Sequence, residues 1–272
     1  MIRSNLLDET VGDVLSTGIE GADDGLFLIN PSRDTIRDLV EVLGDADNPP
    51  HVRLFAAEGP LKALMDDFLV ASAVADHIDA GTLSVRTLES VPNAAFLVSA
   101  ESVISLVVTP DRAGGLATID AAFVETTADH YEKRWSTAPE FTLRTPPRSE
   151  VMETLESDIG PGAARDFEAV LDSLESARGD GDGLDEVTIS LLVAARNGEL
   201  LYDISKWGED VGLASKATFS RTKTQLEEQG LLGTEKVPID VGRPRLRLLF
   251  ADDRLDEADI EELAGVAQEL MA

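Results

Sequence analysis

The stretch from Gly212 to Leu232 constrains this chain more than any other, because its spacing predicts a helix with two unlike faces. Gly212 suits the tight turn after a preceding helix, and Ser215 is a good N-cap for the next. Phe219 and Leu226 lie seven residues apart on one side, and Lys216, Thr218, Arg221, Thr222 and Gln225 are expected on the other. Gly230 and a polar turn follow. Then comes Val241 to Phe250, in which Arg243, Arg245 and Arg247 alternate with Pro244, Leu246 and Leu248. That alternation predicts a strand with one basic face and one apolar face. A helix-turn-helix followed at once by an arginine-bearing hairpin is the winged helix-turn-helix arrangement, which places a helix in the major groove of DNA and the wing on backbone or minor groove. The expected DNA contacts are Ser215, Lys216, Thr218, Arg221, Thr222, Arg243, Arg245 and Arg247.

The overall charge argues the other way. Fifty-two acidic residues against 23 basic ones give a net charge of −29, far from the basic balance of most nucleic-acid binders. The charge is uneven, however: Lys216 to Arg247 holds seven basic and four acidic residues, so this window is about +3 in a chain otherwise about −32. The acid excess, with few lysines relative to arginines and few large aromatics, reads as solubility in a halophile's cytosol. Multimolar salt weakens counterion release, so an operator complex there relies more on fitted contacts than on bulk charge. Zero cysteines exclude disulfides, thiolate catalysis and cysteine-based zinc sites. No apolar run reaches the length of a membrane span, and Met1 to Asn5 lacks the apolar core of a signal peptide. The expectation is a cytoplasmic, nucleoid-associated protein with no membrane partner.

Along the chain, the periodicity predicts a helix over Asn5 to Ile19, a strand over Gly25 to Asn30 and a helix opened by Pro31 to Thr35. A strand from His51 to Ala56 and a long helix from Pro60 to about Ala80 follow. Strands are expected at Thr82 to Leu88, Ala95 to Ser99 and Val103 to Thr109, the last two as a hairpin, then a loop over Pro110 to Gly115 and a helix from Ala121 to Ser136. This pattern predicts a layered α/β domain with a mainly parallel sheet and some antiparallel pairing. Residues 150–178 read as helical with a break at Gly160 to Gly162, and Gly179-Asp-Gly-Asp-Gly183 as a solvated acidic hinge rather than a calcium loop, since Leu184 falls on a ligand position. Helices at Asp185 to Ala195 and Leu200 to Val211 precede the recognition helix, and Arg254 to Ala272 is an amphipathic helix. The expected domains are 1–148 as an α/β regulatory domain, 149–183 as helical linker and hinge, 184–254 as the winged helix, and 255–272 as a C-terminal helix that packs on its own domain or pairs two chains.

No catalytic constellation emerges. The layout of the first domain suggests a phospholipase D-like unit, but the residues two after His51, His77 and His130 are Arg53, Asp79 and Glu132, so its His-x-Lys motif is absent. No phosphate-binding P-loop sequence and no metal-ligand spacing occur. Neither cofactor nor metal is expected. Ser32 and Arg33, at a strand-to-helix turn, either hold a small anionic metabolite or only cap the helix. Tyr131 and Trp135, four apart, read as core.

Ser4-Asn-Leu-Leu7, Ile29-Asn-Pro-Ser-Arg33 and Gly242-Arg-Pro-Arg245 resemble motifs of the haloarchaeal TbsP transcriptional regulators, a family linked to the sugar-sensing TrmB regulators. The resemblance implies control of central carbon metabolism genes, with a non-catalytic N-terminal regulatory domain that is phospholipase D-like or TrmB-effector-like. TrmB-type proteins carry the DNA-binding domain first, whereas here it comes last, so no effector residue is carried over. The leading expectation is therefore a homodimeric regulator of promoter DNA, and the rival is a winged helix that docks on protein.

Overall fold

A computed structural model describes residues 6–8, 10–20, 22, 25–109, 112–174, 176–178, 184–238 and 244–271. The chain divides into two compact units, Met1–Met65 with Ala73–Leu143, and Asp66–Ser72 with Arg144–Ala272. Among the described residues no helix is long and apolar enough to cross a membrane.

The N-terminal unit runs β1 (Leu6–Asp8), α1 (Val11–Glu20), β2 (Leu26–Ile29), α2 (Arg33–Asp45), β3 (Val52–Ala56), α3 (Glu58–Met65), α4 (Phe68–Asp79) from Ala73 onward, β4 (Leu83–Thr87), β5 (Phe96–Val98), β6 (Val103–Val108), β7 (Ala113–Thr118) and α5 (Ala121–Thr137). Among the described residues its strands form one seven-stranded sheet in the order β1-β7-β6-β5-β2-β3-β4. Pairing is parallel only in β2-β3 and β3-β4, where helices carry the chain back across the sheet. The remaining pairs are antiparallel, β2-β5, β5-β6, β6-β7 and β1-β7. The sheet is thus mixed and mostly antiparallel, not mainly parallel, because its second half is built from short connections. The predicted β5–β6 hairpin closes through Ser99, whose backbone N–H donates to Ser102 O at 2.9 Å.

Both faces of the central strand β2 are buried. On one face Phe27, Ile29, Phe55, Val98 and Val103 pack under Val124, Tyr131 and Trp135 of α5. The Trp135 ring meets Phe27 and Phe55 edge-on at centroid distances of 5.6 and 5.4 Å. Tyr131 and Trp135 are therefore core residues, as their spacing suggested.

The C-terminal unit contains α6 (Arg148–Asp158), α7 (Pro161–Asp172), α8 (Glu186–Arg196), α9 (Leu201–Asp210), α10 (Lys216–Glu228), β8 (Leu232–Val237), β9 (Arg245–Phe250), α11 (Asp253–Glu257) and α12 (Leu263–Met271). Its hub is α8, in which every residue from Val187 to Ala195 is buried, the mark of a helix surrounded on all sides. Val151 and Leu155 of α6 and Phe167 of α7 share one core with Trp207, Phe219, Leu226 and Leu248. The described part of the segment expected as a linker thus packs into this unit, whose main stretch is Arg144–Ala272. The predicted hinge, Gly179 to Gly183, lies outside the described residues. Leu263, Ala264 and Ala267 of α12 join the same core, so that helix spends its apolar stripe on its own unit.

Burial pushes the Glu186 carboxyl at the start of α8 up from 4.5 to about 7, with Asp185 beside it adding to the rise. The folded unit holds this proton more tightly than the unfolded chain does. The resulting stability is fully present below pH 4.5 and is lost as pH rises through about 7. Glu186→Gln is expected to raise stability by about 2 kcal/mol near pH 8 and to change little near pH 4, as read by denaturant unfolding at the two pH values. An equal effect at both would show that folding leaves the Glu186 pKa where it is in the unfolded chain.

Candidate nucleic-acid interface

Helix α9, the turn after it and α10 form the helix-turn-helix. Leu213 N–H donates to Gly208 O at 2.8 Å, and Gly212 sits at φ +86, the left-handed value that closes the turn. Ser215 caps α10 as predicted: its Oγ accepts from Thr218 N–H at 3.2 Å and lies 3.0 Å from Thr218 Oγ1. Phe219 and Leu226 are buried at 0% and 2% exposure and anchor the inner side.

The outer side differs from expectation. At 100° per residue, Arg221 points nearly opposite Phe219, whereas Lys216 and Thr222 lie only about 60° from it, on opposite flanks. The exposed residues that accompany Arg221 are Ala217, Ser220, Thr224, Gln225 and Glu228. Lys216, Thr218, Arg221 and Thr222 therefore do not share one face, and Ser220 and Thr224 were missed. Helical spacing from Phe219 alone would have found them.

Strands β8 and β9 form the antiparallel hairpin, with Glu235 opposite Arg247 and Val237 opposite Arg245. A third segment lies along β9, where Leu248 N–H donates to Glu199 O at 2.9 Å and Leu200 bridges Arg247. Leu248 is buried while Arg245 and Arg247 are half-exposed, so the basic and apolar faces alternate as predicted. Arg243 lies outside the described residues.

What the sequence did not reveal is how the cations are paired. The Arg245 guanidinium stacks 4.1 Å from the Tyr202 ring centroid and reaches Asp203 Oδ1 at 3.0 Å. Arg247 lies 3.6 Å from Glu235 across the hairpin, and Lys223 reaches Glu227 at 2.8 Å. Glu209, on α9, holds Lys216 at both ends: one carboxylate oxygen accepts from Nζ at 2.6 Å and the other from the backbone N–H at 3.2 Å. These bonds raise the Lys216 ammonium pKa and hold the Glu209 carboxyl below its ordinary value. Among the described cations of this region, Arg221 and Lys236 are exposed with no described ion pair.

In the N-terminal unit Ser32 caps α2: its Oγ accepts from Thr35 N–H at 3.1 Å and contacts Thr35 Oγ1 at 2.8 Å. Arg33 is exposed at the first position of that helix. The serine hydroxyl is thus engaged in capping, the plainer of the two sequence readings. The histidines are dispersed: His51 contacts Ser84 at 2.9 Å, His77 contacts Thr82 at 3.1 Å, and His130 packs edge-on against Tyr131. Among the described residues no group of three or more His, Asp or Glu is placed to hold a metal ion.

No curated protein matches the chain. A solved structure of TrmBL2, an archaeal chromatin protein described as showing a novel mode of DNA binding, matches at 14% identity and a TM-score of 0.36. The match covers 52% of this chain and 54% of that one, so the chain spans about half the length of that relative, and a likeness at this level carries no structural argument. Two family models match in sequence: "Transcriptional regulator TbsP-like, N-terminal" over residues 3–146, and "Transcriptional regulator TbsP-like, C-terminal HTH domain" over residues 147–268. Their junction falls three residues from the division between the two compact units. The chain belongs to the TbsP-like family of transcriptional regulators.

Proposed function

We propose that this chain binds promoter DNA through a winged helix-turn-helix, with α10 in the major groove and the β8–β9 hairpin as the wing on backbone or minor groove. The observation that carries the reading is the outward face of α10: Arg221 stands exposed among Ser220, Thr224 and Gln225, on a helix fixed by the Ser215 cap and the buried Phe219 and Leu226. Arg221 reads a base, Ser215 and Thr218 offer hydroxyls to phosphate beside the helix N-terminus, and Lys216 and Thr222 touch the backbone from the two flanks. Arg245 and Arg247 grip phosphates, together with Arg243. Two copies bind half-sites about one helical turn apart. The N-terminal unit is the regulatory module, and the genes controlled are those of central carbon metabolism, as the likeness to TbsP regulators suggests. The chain's charge of −29 suits a high-salt interior.

Chromatin immunoprecipitation with sequencing in the native host, wild type against Arg221→Ala, tests this. Discrete promoter peaks that collapse in the variant are expected. No wild-type enrichment under either sugar-rich or sugar-poor growth would transfer the reading to a protein-docking winged helix.

The Glu209–Lys216 pair adds a quantitative expectation. A phosphate that takes Lys216 must displace a carboxylate, which then faces the DNA as a like charge. Glu209→Gln keeps an acceptor for the Lys216 N–H but removes that charge, so Kd for the enriched sequence should fall ~3-fold in fluorescence anisotropy. Weaker binding would mean that Glu209 serves the complex by orienting α10.

A further inference from the structure

The face of the sheet that α5 covers is covered only in part. Val98 and Val103 lie under Val124, but beyond them Val107 is 46% exposed and Leu116 59%. Val107 pairs with Gly114 and Ser105 with Leu116, so Val107 and Leu116 stand diagonally on one face, the face that holds Phe27, Phe96 and Val98. Phe123, 54% exposed, continues this surface onto α5. It lies on the flank opposite Glu132, whose partner Arg53 is on β3, and so on the flank turned toward β6 and β7. Ile119, 80% exposed, joins the two elements.

The geometry points to this face as the surface on which two copies of the chain meet. The choice of a second copy as occupant rests on the DNA-binding reading, which calls for two recognition helices, and on two observations. The first is charge. At −29, most surfaces of two copies would set carboxylates directly against one another, a short-range cost that salt screening does not remove, yet Ser105, Val107, Leu116, Thr118 and Phe123 on this face are uncharged. Copies can approach over these side chains without stacking like charges, and the exposed carboxylate at their border, Asp120, is already engaged in capping α5 by accepting from the Phe123 N–H at 3.0 Å. The second is the C-terminal helix: its apolar stripe is consumed by its own unit, whereas Val107, Leu116, Ile119 and Phe123 are large apolar side chains left in water. Two such sheets packed face to face about 10 Å apart make a self-complementary two-fold contact, with the same patch on both sides.

The test uses the full chain in multimolar KCl. Sedimentation velocity should give a dimer for the wild type, while Leu116→Lys/Phe123→Lys raises the dimer Kd about a hundredfold or more. Both positions are over half exposed, so circular dichroism should stay unchanged, and the unfolding transition should match that of the wild type diluted below its dimer Kd. Ile78→Lys, at an exposed apolar residue of α4, should leave the dimer intact. The absence of native cysteine allows a second measurement that does not depend on a charged substitution: Leu116→Cys should be captured as a dimer by a short bis-maleimide and Ile78→Cys should not. A monomeric wild type, a double variant that remains dimeric, or equal capture of the two cysteines would overturn the inference. Anisotropy with promoter DNA separates it from the parent reading. A wild type that binds DNA as a monomer refutes the surface and the paired half-sites but leaves the DNA-reading helix standing, and a dimer that the double variant disrupts but that binds no DNA refutes only the DNA reading.

Discussion

Gly208→Ala should destabilise the C-terminal unit by about 3 kcal/mol, although alanine is the better helix former. A Cβ on residue 208 would stand 2.3 Å from Cζ and 2.4 Å from Cε2 of Phe219. The ring cannot retreat, because Phe219 is fully buried in the core shared with Phe167, Trp207 and Leu226. Helices α9 and α10 therefore cross as closely as they do because position 208 has no side chain. Removing the ring should reverse the sign. Phe219→Ala alone should cost about 3–5 kcal/mol, and adding Gly208→Ala in that background should restore about 0.5–1 kcal/mol through backbone entropy. Denaturant unfolding of the four proteins closes the cycle. A Gly208→Ala cost that is the same in both backgrounds would show that the ring does not set the crossing. DNA binding should fail together with stability in the single Gly208 variant, since the same crossing aims α10.

The helix-turn-helix was legible because its determinants are local. Ser215 caps within its own first turn, and Phe219 and Leu226 mark the inner face by spacing alone. The alternation of Arg245 and Arg247 with Leu246 and Leu248 likewise reported a two-faced strand. Alternation, however, carries no information about what faces the basic side. Asp203 lies 42 residues from Arg245 in sequence, and the register that sets Glu235 against Arg247 depends on the turn between strands. The face that reads as open and basic is, when folded, largely a set of ion pairs.

The N-terminal unit lost more. Strand β7 has the sequence Ala-Gly-Gly-Leu-Ala-Thr, poor in strand formers, and reads as a loop. Gly115 is there because a Cβ would meet Ile104 Cγ2 at 2.6 Å and Leu6 Cδ1 at 3.1 Å, so its neighbours' side chains fill the space. Leu6 itself was absorbed into the apolar stripe of α1, which hid β1. The single long helix expected after Pro60 is two, α3 and α4, broken at Asp66 and Asp67. Asp67 is fully buried, accepting from Ala177 N–H at 3.0 Å and pairing with Arg178 at 3.3 Å, so the break answers to partners more than a hundred residues away. The 149–183 segment was placed outside the C-terminal domain for a similar reason: its helices are amphipathic, and nothing local says that their apolar sides meet Trp207 and α8.

Arg221→Glu should abolish measurable site-specific DNA binding, about a thousandfold loss in affinity for the enriched sequence. The outer face of α10 brings few charges to DNA, and Lys216, Arg245 and Arg247 must each exchange a carboxylate for a phosphate, so their net gain is small. Arg221 is exposed with no described ion pair to surrender, and it sits centrally between Ser220, Thr224 and Gln225. Truncation to alanine removes a base contact, roughly 1–3 kcal/mol on the enriched sequence, with a much smaller effect on random duplex. Reversal to glutamate adds repulsion from the phosphates lining the groove, which weakens both duplexes and takes specific binding below detection. Arg245→Ala should behave differently: it frees Asp203, stays away from base edges, and weakens specific and random DNA alike. Anisotropy titrations of the three variants on the two duplexes decide between these roles. Equal losses on both duplexes for Arg221→Ala would make Arg221 a backbone anchor and move base reading to Thr224 and Gln225. Sequence-dependent losses for Arg245→Ala would place the wing in a groove rather than on the backbone.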